Sequence, residues 1–292
     1  MSTGAYHFAG ELRRELCARN TLFAEANKLA CVASYGEMPV TVYTPDDDGR
    51  HGNFYATSYR AILKNPEWSK RLEKFHSRAQ SSLPRAERRW RELDSCTSSD
   101  ALLMNIFCCP GVCGNRSIAG ILGTEASDDP EFGFRARVPL KTPVQGSELS
   151  TSGKASRERF DRTEVDMRLG GLLIESKLTE NDFQTAPASL VAAYRDLDLV
   201  FDVPSLPRLR ESFISYQLIR NVLAAHSTGS SFCVLLDARR PDLKESWHAI
   251  MSCVRFAELR TRCKVLTWQE LSADLPRGLR KFLEVKYGIV PP

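Results

Sequence analysis

The sequence lacks the features that mark several common classes of protein. Among its 292 residues there is no run of about 18 apolar residues, so no membrane-spanning helix is expected. Residues 1–14 lack the apolar stretch of a secretory signal peptide, which predicts a cytoplasmic protein. Neither a G-x-G-x-x-G nor a P-loop pattern occurs, which argues against an enzyme that cradles the phosphate of a small molecule. None of the five histidines has a partner at metal-ligand spacing, and none is assigned a role.

The nine cysteines are predicted to be reduced thiols, because no export signal accompanies them. Cys108, Cys109 and Cys113 lie close together in the chain, and three thiolates could bind a metal ion. No fourth ligand follows at a recognisable spacing, and Cys108 continues the apolar run at 102–107. We therefore favour a structural role for these cysteines over a metal site.

Positive charge is concentrated in one part of the chain. The net charge is only +4, but residues 64–91, called here the basic segment, contain nine Lys and Arg against three Glu. Such a segment can neutralise phosphates, and Arg88 and Arg89 within it are predicted nucleic-acid contacts. A solvated helix face has the same composition, so both interpretations remain open.

The pattern of apolar residues predicts two regions. Residues 1–95 are predicted to be a helical N-terminal region, in which Pro66 and Pro84 begin new helices. Residues 96–292 are predicted to be a domain that mixes helices and strands. Its predicted helices are 98–107, capped by Ser98 or Ser99, 209–225 and 242–260. Its predicted strands are 132–140, 163–169, 172–179, 232–236 and 264–267.

The segment at 162–180 gives the strongest local signal. Gly170 and Gly171 separate two alternating runs, which predicts a hairpin with a type I′ turn. The expected pairs are Leu169 with Leu172, Met167 with Ile174, Asp166 with Glu175, and Glu164 with Lys177. Alternation then predicts an apolar face of Val165, Met167, Leu169, Leu172, Ile174 and Leu178, and a charged face of Glu164, Asp166, Arg168, Glu175 and Lys177.

The predicted pairing of Asp166 with Glu175 needs an explanation, because like charges opposite each other destabilise a sheet. A divalent cation between the two carboxylates would remove the repulsion, since Mg²⁺ prefers hard oxygen ligands. In the alternative interpretation this face is solvated, Lys177 pairs with Glu164, and Arg168 screens Asp166. Geometry alone leaves both interpretations open.

Asp166 followed by Glu175-Ser176-Lys177 resembles the signature of the PD-(D/E)XK nuclease superfamily, which has the restriction-endonuclease-like fold. Three segments, TEVD (163–166), LIESKLTE (173–180) and SSDALLMNIF (98–107), are similar to sequences of a bacterial, largely uncharacterised branch of this superfamily. The chain departs from the signature at Val165, which stands where the superfamily often has proline. The resemblance covers residues 98–268 and leaves the first 95 outside. It implies an α/β fold with an αβββαβ core, in which helices flank a mixed central sheet.

The resemblance also implies site residues and a cofactor. Asp166 and Glu175 would hold Mg²⁺, for which Mn²⁺ can substitute, and the main-chain carbonyl of Ser176 would be a further ligand. Lys177 would orient the attacking water or the scissile phosphate. Glu164 is either an additional metal ligand or the partner of Lys177.

Two helices flank the predicted active strands. Gln217, Arg220 and Asn221 share one face of the predicted helix 209–225. Gln217 is a predicted catalytic residue and Arg220 a predicted nucleic-acid contact, although a simple surface patch would have the same spacing. Asp100 on the preceding helix is either the acid that some relatives place there or a partner of the helix dipole, which we favour.

The sequence thus predicts a metal-dependent nuclease that hydrolyses phosphodiester bonds, with DNA favoured over RNA as substrate. The alternative is a catalytically silent nucleic-acid-binding or interaction module on the same fold. Nucleic acid is the expected partner, and a homodimer is left open. The retained pair of acids with the E-x-K favours the enzyme, because a binding module does not need opposed carboxylates.

Overall fold

A computed structural model describes residues 3–34, 39–75, 91–126, 129–141, 158–162 and 164–292. The helices are α1 Thr3–Asn27, α2 Ala56–Lys64, α3 Pro66–Arg71, α4 Ser99–Phe107, α5 Arg116–Leu122, α6 Ala188–Ala192, α7 Leu197–Val200, α8 Tyr216–Thr228, α9 Pro241–Ser252, α10 Ala257–Arg262, α11 Trp268–Ser272 and α12 Arg277–Tyr287. The strands are β1 Cys31–Ala33, β2 Thr41–Tyr43, β3 Pro130–Arg135, β4 Val138–Pro139, β5 Phe160–Asp161, β6 Glu164–Leu169, β7 Leu172–Ser176, β8 Thr185–Pro187, β9 Arg208–Leu209, β10 Ser212–Ile214, β11 Ser231–Leu236 and β12 Cys263–Thr267. Single turns of 3₁₀ helix cover Glu92–Asp94 and Val203–Ser205.

The central sheet has five strands in the order β12-β11-β7-β6-β3. Strands β3, β6 and β7 form an antiparallel meander, and β11 and β12 join it in parallel. Together with α4 before the meander and α8 before β11, this is the αβββαβ arrangement. The mixed sheet and the restriction-endonuclease-like fold predicted from the sequence are confirmed.

Apolar clusters cover both faces of the sheet. One cluster joins α8 and α9 to Leu173 and Phe232, and the other joins α1, α4 and α12 to Ile174 and Leu235. Each residue of β7 is buried, which is typical of a strand in the middle of a two-sided core. The sheet therefore holds the side chains at the end of β7 in a rigid, largely dry setting.

Side chains of β3 and β6 do not alternate regularly between the two faces of the sheet next to Asp166. Phe132 packs with the cluster of α4, whereas Phe134, two residues later, packs with the cluster of α8. On β6, Met167 packs with the cluster of α4, whereas Val165 packs with the cluster of α8. Gly133, between Phe132 and Phe134, has a φ of +67°, outside the range of a regular strand. The predicted apolar face was therefore wrong at Val165, because the strands turn over at Gly133.

Several predicted elements are divided in the structure. The predicted strand 132–140 becomes β3 and β4. The predicted helix 209–225 begins only at Tyr216, since Arg210 and Ser215 have positive φ and β9 and β10 precede it. The predicted helix 242–260 divides into α9 and α10, because Val254 pairs with Phe201 in a β-bridge. The region 1–95, predicted to be helical, also contains the hairpin of β1 and β2, whose Thr41-Val42-Tyr43 favours a strand.

The first and last helices pack together. Leu12 and Leu16 of α1 share an apolar cluster with Leu279 and Leu283 of α12. Asn20 adds a hydrogen bond from its side-chain amide to the carbonyl of Lys286, at 3.1 Å. Within the described residues, no helix is both long and apolar enough to cross a membrane.

Candidate active site

The end of β7 is fixed from three sides. The amide of Lys177 donates to the carbonyl of Leu235 at 2.8 Å, which continues the pairing of β7 with β11. The indole of Trp268 donates to the carbonyl of Lys177 at 3.0 Å, and the guanidinium of Arg240 donates to the carbonyl of Leu178 at 3.0 Å. Glu175 and Lys177 therefore sit on a backbone that cannot shift without breaking these contacts.

The predicted hairpin is confirmed at its turn and at the two pairs next to it. The predicted pairs of Asp166 with Glu175 and of Glu164 with Lys177 are wrong, because the ladder ends at Met167 and Ile174. Met167 pairs with Ile174 and Leu169 with Leu172, with Gly170 and Gly171 as the turn. Only Gly170 has positive φ, at +54°, so the predicted type I′ turn is wrong. One positive φ at the first central residue is typical of a type II′ turn, which suits a hairpin equally well.

Asp166 is held against the opposite strand at the point where the ladder ends. Its Oδ2 accepts hydrogen bonds from the amide and the hydroxyl of Ser176, at 2.7 and 2.8 Å. No other described residue donates to this carboxylate. Ser176, which the sequence suggested as a metal ligand through its carbonyl, is thus also the residue that orients Asp166.

Glu175 is buried, with an exposed fraction of 2%, and each of its oxygens has a partner. Oε1 accepts from Nζ of Lys177 at 2.8 Å, and Oε2 accepts from the side-chain amide of Asn221 at 2.9 Å. Burial opposes the charge of Lys177, but the carboxylates of Glu175, Glu180 and Asp166 outweigh it and raise its pKa. Lys177 is therefore a permanent cation at this site.

Negative charge at Asp166 is poorly compensated. Burial, then the charges of Glu175 and Asp100, raise the pKa of Asp166 to about 8. Lys177 and the amide of Ser176 act in the opposite direction and do not cancel this effect. The two carboxylates repel each other, and the cation in contact with either of them within the described residues is Lys177, on Glu175. Such a pair favours an added positive charge.

A second group of charged side chains lies next to this pair. Asp100 on α4 accepts from Arg71 at 2.9 Å and from Lys74 at 2.8 Å. Glu164 accepts from Arg71 at 2.5 Å, and Lys74 lies 3.3 Å from Glu92. Burial would raise the pKa of Asp100, but Arg71 and Lys74 lower it below its usual value. Asp100 therefore lies in the first turn of α4 and also forms ion pairs with Arg71 and Lys74. Glu164 pairs with Arg71 and not with Lys177.

The helix α8 contributes through Asn221. Arg220 is 3% exposed, and its Nε and Nη2 donate to Oδ1 of Asn221 at 3.0 and 2.6 Å. Nη2 of Arg220 also reaches the carbonyl of Glu164, at 2.9 Å. Gln217 is half-buried, and its Oε1 has no hydrogen-bond partner among the described residues. The catalytic role of Gln217 and the nucleic-acid contact of Arg220 stay predictions.

The basic segment is described only in part. Arg88 and Arg89 lie outside the described residues, and their contact with nucleic acid stays a prediction. Lys70 pairs with Glu67 at 2.6 Å, and Arg91 with Glu73 at 2.9 Å. The remaining paired cations of the described part, Arg71 and Lys74, turn inward to the acids.

Sequence reasoning gave no role to Arg71, Lys74 or Asn221. The spacing of Arg71 and Lys74 places them one helical turn apart, but this is also what a solvated helix face shows. The sequence places Asn221 and Gln217 on one helix face, and the spacing does not distinguish the two amides. The hydrogen bond from Asn221 to Glu175, at 2.9 Å, distinguishes them in the structure.

The oxygen atoms of Asp166 and Glu175 suit a hydrated metal ion. Among the described residues, no three His, Cys, Asp or Glu side chains are arranged as a ready metal cage. Asp166 and Glu175 are two carboxylates, and Mg²⁺ commonly takes one or two carboxylates with water and substrate oxygens. Within the described residues Asp166 accepts hydrogen bonds from the neutral amide and hydroxyl of Ser176 and from no cationic group. The residues therefore fit a hydrated Mg²⁺ ion better than a cation enclosed by protein ligands.

The element order and the mixed sheet define the class of this protein, which has the restriction-endonuclease-like fold. Within that class, the chain belongs to the family described as Restriction Endonuclease associating with ARP, whose sequence model matches residues 18–288. No curated protein and no solved structure matches the chain.

Proposed function

We propose that this protein is a metal-dependent nuclease that hydrolyses phosphodiester bonds of nucleic acid, with DNA favoured as substrate. The observation that carries the proposal is the pair of carboxylates, Asp166 and Glu175, with Lys177 beside them and too little positive charge among them. Membership of a restriction-endonuclease family supports the same reaction class.

Asp166 and Glu175 would hold Mg²⁺, and the carbonyl of Ser176 is the further ligand that the superfamily resemblance adds. When bound, the ion supplies Lewis-acid chemistry at the phosphate and makes a water easier to deprotonate. Ser176 keeps Asp166 in place through its amide and hydroxyl, and Asn221 does the same for Glu175. The protein thus fixes the ligands before the substrate arrives.

Lys177 acts as a cation and not as a base, because its raised pKa keeps Nζ protonated at neutral pH. Its ammonium donates one hydrogen bond to Glu175 and has two further donors. These can orient the attacking water or neutralise a phosphate oxygen as negative charge develops. The ring centre of Phe183 lies 5.5 Å from Nζ, which allows a cation–π contact with the ammonium.

The test combines substrates, metals and one variant. Purified protein is incubated with plasmid, linear and single-stranded DNA and with RNA, in Mg²⁺, Mn²⁺ or EDTA. We expect cleavage only with metal, and Asp166→Asn should abolish it while nucleic-acid binding persists, since phosphate contacts come from basic residues elsewhere. The matched control is Asp198→Asn, because Asp198 is 72% exposed on α7.

Two results would contradict the proposal. Metal-dependent cleavage that Asp166→Asn does not reduce would place the chemistry elsewhere. Tight binding of nucleic acid without cleavage of any substrate would favour the binding module that the sequence left open.

A further inference from the structure

We infer that Arg71 and Lys74 take the place of a second metal ion, so that the site holds one divalent ion, on Asp166 and Glu175. The inference rests on the proposed function and deepens it, because it assigns a metal count and a role to two cations of the N-terminal region.

The first support is the division of charge around the site. Asp100, Glu164 and Glu92 face two protein cations, Arg71 and Lys74, at distances of 2.5 to 3.8 Å. Around Asp166 and Glu175, the cation in contact within the described residues is Lys177, 2.8 Å from Glu175. One divalent ion would add positive charge beside Asp166 and Glu175, whereas Asp100, Glu164 and Glu92 already contact two cations.

The second support is the contrast between the hydrogen-bond donors of two neighbouring acids. Asp100 accepts from two cationic side chains, Arg71 at 2.9 Å and Lys74 at 2.8 Å. Asp166 accepts from the neutral amide and hydroxyl of Ser176 and, within the described residues, from no cationic group. Asp166 is therefore free to contact an added cation, whereas Asp100 already has two cationic partners.

The third support is the space made for Arg71. Gly133 lies against it, and a Cβ built at this glycine would stand 2.5 Å from Nη1 of Arg71 and 3.2 Å from Cδ of Glu164. Any larger residue at position 133 would push the guanidinium of Arg71 away from Glu164. The strand is thus shaped to admit a planar, bidentate cation between Asp100 and Glu164.

Arg71 and Lys74 are positioning residues in this account. They hold Asp100 and Glu164 through ion pairs, which keeps those carboxylates from binding metal. Glu164, a metal ligand in one sequence-based interpretation, is then excluded from the metal site.

The experiment counts bound Mn²⁺ by isothermal titration on the full chain, and electron paramagnetic resonance of free Mn²⁺ checks the count. The parent should bind one Mn²⁺ per chain. Arg71→Met/Lys74→Met leaves Asp100 and Glu164 without partners, and it should bind a second Mn²⁺. Adding Asp100→Asn to this variant should return the count to one. Circular dichroism confirms that each variant is folded.

A second set of variants keeps the test decisive if the double variant does not fold. In the otherwise unchanged chain, Glu164→Gln should alter the dissociation constant of Mn²⁺ less than about threefold, whereas Asp166→Asn should weaken it more than about tenfold. Two Mn²⁺ ions in the parent, or equal losses in Glu164→Gln and Asp166→Asn, would overturn the inference alone. No bound Mn²⁺ in the folded parent would instead refute the metal-dependent function on which it rests.

Discussion

Asp166→Asn offers a sharp test of the electrostatics of the site in metal-free protein. In EDTA, the pKa of Asp166 lies near 8 in the folded state and near 3.8 in the unfolded chain. Between these values the folded state holds a proton that the unfolded chain has released. The free energy of unfolding of the parent therefore falls as pH rises, by at most about 1.4 kcal/mol per pH unit from this group.

Asparagine cannot ionise, so the variant should lose this dependence. From about pH 5 to about pH 8 the parent should become less stable relative to Asp166→Asn, by at most about 4 kcal/mol. The variant keeps a side-chain oxygen that can accept from Ser176, so little else should change. Urea denaturation of both proteins in EDTA at several pH values measures the difference. Mg²⁺ should stabilise the parent at the higher pH and leave the variant almost unaffected.

Asp100→Asn is the matched control, since its expected effect has the opposite sign. The lowered pKa of Asp100 stabilises the folded state above about pH 4 and is lost only as pH falls below that. Its loss leaves Arg71 and Lys74 with fewer partners, so the variant should be less stable than the parent throughout the same pH range. If Asp166→Asn is no more stable than the parent near pH 8, the argument from uncompensated charge is refuted.

Three further predictions concern the surroundings of the site. Asn221→Ala should weaken Mn²⁺ binding about tenfold, because Glu175 loses the amide that orients it, and calorimetry would show this; unchanged binding would contradict a positioning role. Gly133→Ala should lower the melting temperature, since the new Cβ meets a guanidinium at a φ of +67°, whereas Gly120→Ala in α5, with open space around it, should not. Reversing the charges of Arg88 and Arg89 should reduce the salt dependence of DNA binding by about 0.9 in logarithmic slope per lost phosphate contact, and an unchanged slope would favour a solvated face for the basic segment.

The hairpin could be predicted because its information is local. Gly170-Gly171 and the alternation on either side determine the pairing of Met167 with Ile174, and both signals lie within about 20 residues. The burial of β11 could also be predicted, because a continuous apolar run indicates a strand buried on both faces.

The partners of Asp100 and Glu164 could not be predicted in this way. Arg71 lies 29 residues from Asp100 and 93 residues from Glu164 in the chain. An ion pair over such distances leaves no periodic pattern, and its cations resemble those of any solvated helix. The wrong assignment of Val165 to the apolar face has a similar origin. The irregularity of β6 is matched by the positive φ of Gly133 on the neighbouring strand β3, which the local sequence of β6 does not contain.

The packing of α1 against α12 has a consequence for the order of events during synthesis. Leu12 and Leu16 are synthesised long before Leu279 and Leu283, with which they share an apolar cluster. The carbonyl of Lys177 likewise waits for Trp268. Chains emerge at roughly 5–20 residues per second, so the N-terminal helix stays without its partner for many seconds. We therefore expect the proposed catalytic arrangement to form only after Trp268 has been synthesised and has left the ribosome.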